Sequence, residues 1–336
     1  IGMEDVTVYQ YDVVVIGGGT AGLSAAIKVK ESGIDSILIL EREDCLGGIL
    51  NQCIHSGFGI NVFNEELTGP EYAERFINKV KELGIEYRLN TCVFDFNNDK
   101  IVTAVSKEGI IKIKAKAIIL AMGCREKPRG LINIAGRKSA GIFTAGCVQK
   151  FINLEGYMPG KDIVILGSGD LALRMAKRLK LEGSNVKAIV EVLPYAEGKE
   201  ELVKECMDDF KIPFIFSHTV TYVNGKERID SITISEVDSD RNIIKGTEKE
   251  IQCDTAVLSV GLIPDNEVAK KAGVDISVST KGIRVNKDME TNIEGIFGCG
   301  NVVFNNNGID DITCEGVKAG ENVALYIKKQ NEKPKG

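Results

Sequence analysis

The chain has 336 residues, 43% of them apolar, and sets 42 basic against 48 acidic side chains for a net charge of −6. That length is about twice a typical domain and supplies a core for each of two. The acidic balance, with no basic run, argues against a nucleic-acid or anionic-membrane surface. The longest apolar stretches, near residues 117–122, are far too short to span a bilayer, and the first residues lack the charged and apolar regions of a signal peptide.

In chain order, the β-branched run VVVI from Val13 feeds a glycine turn, Gly17-x-Gly19-x-x-Gly22. A helix through AGLSAAIKVKESG follows, with Gly33 as its stop, and then a strand, SILILE, that ends in Glu41. The segment PEYAERFINKVKELG predicts a second helix, with Pro70 at its first turn and Tyr72, Phe76, Val80 and Leu83 at helical spacing. Alternating strands through VTAVS and IIKIKAK, turning at Gly109, form a β-meander that returns to AIILAMG. The second half repeats this order. Its turn is Gly167-x-Gly169-x-x-Ala172, its helix ALRMAKRLKLEG, and its second strand ends in Glu191. A helix over ELVKECMDDF, alternating strands over ITISEV and IIKGTEKEIQC, and a strand TAVLSVG complete it. TNIEGIFGCGNV then leads into a last helix over EGVKAGENVALYIKK, expected to rejoin the first domain.

The two halves carry the same chemistry. Glu41 and Glu191 each stand 19 residues beyond the last small residue of their motif (41 minus 22, 191 minus 172), close to the ~20 of a dinucleotide-binding unit. Glycines permit a tight turn and let backbone approach a pyrophosphate, and the amides opening each helix, at Thr20 and Ala21 and at Asp170 and Leu171, meet the phosphates. Each acid can accept hydrogen bonds from both ribose hydroxyls. Two such sites imply two dinucleotides. Glu191, with no arginine following in VLPYAEG, favours NAD over NADP because a 2′-phosphate would be repelled. The nine cysteines show no C-x-x-C pair and no metal-ligand spacing, so no metal is expected. Their odd, scattered pattern suits small buried thiols in a reducing cytoplasm.

The two glycine turns, the AMG and GLIPDN junctions and GIFGCGNV together resemble the flavoproteins with two dinucleotide-binding domains, the family that holds thioredoxin reductase, glutathione reductase and NADH oxidases. The resemblance spans nearly the whole chain. It implies an α/β fold of two Rossmann-like domains, the second inserted in the first, each with a β-meander and with no C-terminal dimerisation domain. The boundaries expected are 1–125 with 261–336 for the FAD domain, and 126–260 for the NAD domain. The resemblance places Arg42, Gly47, Gly48, Asn51, Val93, Ala121, Gly123, Gly300 and Asn301 at the flavin, and Gly261 at the second crossover. Asn301 stands where the family has aspartate, which keeps a hydrogen bond to a hydroxyl or phosphate oxygen and removes a charge.

Neither redox dithiol of the family is present. Leu50 and His55 align with one pair, and GIFTAGCVQ offers the single Cys147 in place of the other. His55 would thus face the isoalloxazine, with Cys53 beside it, as candidate catalytic residues. The segments CLGGILNQCIHSGFG, EELTGPEYA, AMGCREKPRG and INLEGYMPGKDIVILGSGD resemble more closely the small flavoprotein subunits that pair with glycerol-3-phosphate, sarcosine or octopine dehydrogenases. The resemblance implies an NADH:acceptor oxidoreductase, with hydride passing between nicotinamide and flavin N5 and electrons exchanged with a partner flavoprotein subunit. A stand-alone NADH oxidase, a reductase for ferredoxin or a small redox protein, and a non-catalytic flavin-binding subunit stay open as alternatives, as does the oligomeric state.

Overall fold

In the computed structural model, which describes residues 8–132, 134–304 and 308–332, each glycine turn joins a central parallel strand to a helix. The chain divides into two units, Ile1–Arg125 with Ile263–Gly336, and Glu126–Leu262. The first begins with β1 (Val8–Ile16), α1 (Thr20–Glu31), β2 (Ile37–Leu40), a short α2 (Ile60–Phe63), α3 (Gly69–Glu82) and β3 (Glu86–Arg88). The strands β4 (Cys92–Phe96), β5 (Ile101–Ser106) and β6 (Gly109–Leu120) follow, then the crossover strand β7 (Cys124–Glu126).

The expected break between IIKIKAK and AIIL is absent. Both belong to the twelve-residue β6, one edge of which runs parallel to β1. Its other edge is shared, antiparallel to β5 over Ile101–Ser106 and parallel to a late strand over Ile118–Leu120. The meander is therefore continuous with the parallel sheet.

The second unit holds β8 (Ala135–Gly136), β9 (Ile142–Thr144), α4 (Ala145–Lys150), β10 (Asp162–Leu166), α5 (Asp170–Leu181), β11 (Asn185–Val190) and α6 (Glu200–Lys204). After these come β12 (Phe214–Ile215), β13 (His218–Asn224), β14 (Ser231–Glu236), β15 (Lys249–Gln252) and β16 (Thr255–Leu258). A parallel sheet runs β12-β11-β10-β16-β9, and the meander is here a separate sheet, β15-β14-β13-β8. Two expected elements are shorter than their sequence pattern. The stretch IIKGTEKEIQC keeps strand form only over β15, because Gly246 takes φ +85° and the Thr247 hydroxyl donates to the Ile244 carbonyl to close a turn. ELVKECMDDF is α-helical over α6 and continues as a π-helical turn, Glu205–Asp209.

The chain returns through β17 (Leu262–Pro264), which pairs with β7, and through α7 (Glu267–Lys271) to β18 (Ile296–Gly298) and α8 (Ile309–Glu332). β18 is the late strand beside β6, so the tail completes the first unit's sheet. Successive residues of β1 face opposite sides, and both sides are covered. Val13 and Val15 pack with Leu23, Val29, Val323 and Ile327 of the helices, while Val14 and Ile16 pack with Phe96, Val102, Ile113 and Ala269. An uninterrupted apolar run is what a doubly covered parallel strand demands. Each such fully buried aliphatic contributes roughly 1.5–3 kcal/mol over its exposed state.

α8 lies against α1 at small residues. A Cβ on Gly316 would fall 2.1 Å from the Ser24 hydroxyl, and one on Gly320 would fall 2.4 Å from the Ala25 carbonyl oxygen. Among the described residues no helix is long and apolar enough to cross a membrane.

Candidate cofactor sites

Each glycine turn forms a cradle that side chains would fill. Gly17 has φ +110°, and a Cβ there would lie 2.3 Å from the Ala121 carbonyl oxygen. Gly22 stands so close to the turn that a Cβ would meet the Gly17 carbonyl at 2.0 Å. In the second unit Gly167, φ +101°, abuts the Ser259 carbonyl in the same manner, at 2.1 Å. Over the middle glycines, Gly19 and Gly169, no atom of the described residues, chain neighbours aside, lies within 4 Å of an added Cβ. That is where a pyrophosphate needs room. Gly19 and Gly169 are the N-caps of α1 and α5, so the amides of Thr20, Ala21 and Gly22, and of Asp170, Leu171 and Ala172, open the helices with no intrahelical partner. These are donors for an anion.

Both acids are buried and held by two donors apiece. The Gly18 amide donates to Glu41 Oε2 at 2.7 Å and the Glu43 amide to Oε1 at 2.8 Å. The Ser168 hydroxyl donates to Glu191 Oε2 at 2.6 Å and the Leu193 amide to Oε1 at 3.0 Å. A carboxylate has about four acceptor positions, so each acid keeps one per oxygen for a pair of ribose hydroxyls. Gly18, Glu43, Ser168 and Leu193 were not among the sequence candidates. The middle residue of each G-x-G carried the only signal for the first and third.

Of the remaining candidates, Gly47, Gly48 and Ala121 lie at the first turn. The Gly47 amide donates to the Gly18 carbonyl at 2.9 Å, Gly48 passes within 3.1 Å of Gly19 measured from an added Cβ, and Asn51 folds back to donate to the Leu46 carbonyl. Val93 lies just past Thr91, whose amide donates to the Glu41 carbonyl. Ala121 donates to the Ile16 carbonyl, and Gly123 and Gly261, both at positive φ, carry the chain into the crossovers. The Arg42 guanidinium is engaged by Asp265 and Glu43.

Asn301 Oδ1 is buried with no hydrogen-bond partner among the described residues, and a Cβ on Gly300 would fall 2.8 Å from Ala21. An orphaned acceptor there suits a hydroxyl donor on a ligand. The charge that aspartate would bring is replaced from another element, since Glu315 of α8 accepts the Gly300 amide at 2.9 Å. The glycine cradles, buried acids and Asn301 thus fit FAD in the first unit and a pyridine nucleotide in the second.

Cys53 closes a 3₁₀ turn over Gly48–Gln52, its thiol directed at the Ile49 carbonyl. His55 is half-buried, stacked on Phe58 at 5.0 Å, with Nδ1 2.8 Å from the Ser56 carbonyl. Leu50, the other aligned position, is core. His218 is buried in β13 with Nδ1 2.7 Å from the Phe216 carbonyl.

Comparison with known proteins agrees with this geometry. The family described as pyridine nucleotide-disulphide oxidoreductase matches residues 11–320. Thioredoxin reductase of Bacillus subtilis (strain 168) is 29% identical over 334 residues, covering 96% of each chain. Among solved structures, Lactococcus lactis thioredoxin reductase superposes with a TM-score of 0.78 at 23% identity, covering 95% of this chain and 99% of that one. Bacillithiol disulfide reductase from Bacillus cereus gives 0.77 at 21%, covering 96% and 99%. With two cradles fit for FAD and NAD(P)H and a family match over nearly its whole length, the chain belongs to the pyridine nucleotide-disulphide oxidoreductases and is an FAD- and NAD(P)H-dependent oxidoreductase.

Proposed function

We propose that this protein is an NADH:acceptor oxidoreductase that has no internal disulfide relay and hands its electrons to a partner flavoprotein subunit in the cytoplasm. Bound FAD supplies the hydride acceptor and bound NADH the donor. The protein's own residues bind and orient. Gly17, Gly19 and Gly22 with the α1 amides hold one pyrophosphate, Gly167, Gly169 and Ala172 with the α5 amides hold the other, and Glu41 and Glu191 take the riboses. Glu191 selects against a 2′-phosphate.

The observation that carries the relay-free reading is the cysteine placement. No two of the nine stand as C-x-x-C, and in α4 Cys147 lies between the fully buried Ala145 and Val148. Burial pushes the Cys147 thiol up, and Glu126 adds to it. Burial and Asp44 do the same at Cys45. Thiols held in the protonated form are poor nucleophiles for exchange. The partner rests on the resemblance of NQCIHSGFG and its companion segments.

Anaerobic titration with NADH tests the relay directly. One equivalent per FAD is expected to complete the reduction, with no new thiols titrating afterwards. Two equivalents, and two thiols gained, would overturn the reading. Purification from native cells tests the partner by the flavoprotein subunit that accompanies the chain.

A further inference from the structure

The two nucleotide turns differ at one residue whose side chain does more than fill space. In the first unit the residue between the motif glycines is Gly18. A Cβ there would fall 2.6 Å from Leu46 Cδ2 and 3.1 Å from Glu41 Oε2, so a side chain would displace Leu46, and the acid is held through the Gly18 amide. In the second unit that place belongs to Ser168, which is fully buried. Its hydroxyl donates to Glu191 Oε2 at 2.6 Å. That length is characteristic of an O–H to carboxylate bond.

The same oxygen has a second task. The segment that follows Glu191 returns to the glycine turn and lays three successive amides on it. Glu197 donates to Ser168 Oγ at 3.0 Å, Gly198 to the Ser168 carbonyl at 2.9 Å, and Lys199 to Asp170 Oδ1 at 2.8 Å. The close approach requires glycine at 198, where a Cβ would meet Leu173 at 2.4 Å. Among the described residues the first unit shows the middle bond of this set, from the Gly47 amide to the Gly18 carbonyl. A serine hydroxyl offers one donor and two acceptor positions. Ser168 spends the donor on the acid and an acceptor on the returning segment.

We infer that Ser168 is a positioning residue of the pyridine-nucleotide site, its hydroxyl fixing the Glu191 carboxylate and pinning residues 197–199 over the turn so that ribose recognition and rejection of a 2′-phosphate both depend on it. The inference rests on the NADH reading above and deepens it. Without the hydroxyl, the Leu193 amide is the donor left to the Glu191 carboxylate among the described residues, and the carboxylate can rotate off the ribose.

Isothermal titration of the FAD-loaded protein with NAD⁺ and with NADP⁺ tests this without turnover. Ser168→Ala and Ser168→Gly, both smaller than the native residue, are expected to weaken NAD⁺ binding about five- to tenfold and to change NADP⁺ binding less than twofold. The preference between the two nucleotides then shrinks by the same factor, and the FAD content stays at the wild-type level. A merely structural serine would lower thermal stability and leave that preference intact. Preference unchanged within twofold in either variant overturns the inference. Wild-type protein that fails to bind NAD⁺ overturns the NADH reading itself, a separate result.

Discussion

Arg42 Nη1 lies 3.0 Å from Asp265 Oδ2, although 223 residues separate them. The bond ties the residue next to Glu41 to the residue just past β17, and Arg125 joins it through Asp265 Oδ1 and Glu267. Burial, helped by Glu267, raises the Asp265 carboxyl above its ordinary range despite Arg42, while the Arg125 hydrogen bond lowers Glu267.

The signs of these shifts are opposite. A raised acid holds its proton more tightly when folded, so its contribution is full below the ordinary aspartate value and is lost as pH rises through the folded value. Glu267 contributes above its ordinary value and loses that contribution as pH falls through its lowered one. Asp265→Asn is therefore expected to gain in melting temperature relative to wild type as pH rises from about 4 toward neutrality, whereas Glu267→Gln loses ground only as pH rises to the ordinary glutamate value of about 4.5 and holds level above it. A constant difference between wild type and Asp265→Asn across that range would contradict the burial of the charge.

The third small residue of each motif predicts unequal outcomes. Gly22→Ala drives a Cβ to 2.0 Å from the Gly17 carbonyl, opens the turn, and is expected to yield protein largely without FAD. Ala172→Gly removes a methyl that the second turn already accommodates and costs about 1–2 kcal/mol, with FAD retained. Flavin absorbance per chain and denaturant unfolding measure both.

Removing the charge at Glu191 should shift cofactor choice. In wild type, equal NADH and NADPH mixed anaerobically with the protein should bleach the flavin faster with NADH. Glu191→Gln is expected to narrow that gap about tenfold. Stopped-flow traces give the ratio, and an unaltered ratio places the acid away from the ribose.

His55→Asn tests whether the histidine takes part in proton handling at the flavin. A general acid or base in that role accounts for about a hundredfold in rate. The variant should slow flavin reduction or reoxidation by that order and flatten their pH dependence. Equal rates at every pH would leave His55 as a packing partner of Phe58.

Much of this was legible in the chain because it depends on local rules. VVVI before Gly17 and IVIL before Gly167 announce doubly covered strands, and the 19-residue distance to Glu41 and Glu191 marks the turn and the acid together. Pro70 and the apolar spacing of Tyr72 and Val80 locate α3 to within a residue or two. What depended on neighbours distant in sequence could not be read this way. IIKIKAKAIIL looks like two strands and is one, because β5 and β18 take successive parts of the same edge. Glu315 supplies a carboxylate beside Asn301 only because α8 packs back along α1 through Gly316 and Gly320. Gly18 and Ser168 look interchangeable in a motif, and they diverge because Leu46 crowds one site while the other receives the Glu197 amide. Periodicity and spacing record what a residue does for its own strand or turn. Which side chain fills the space above it is set when remote segments meet.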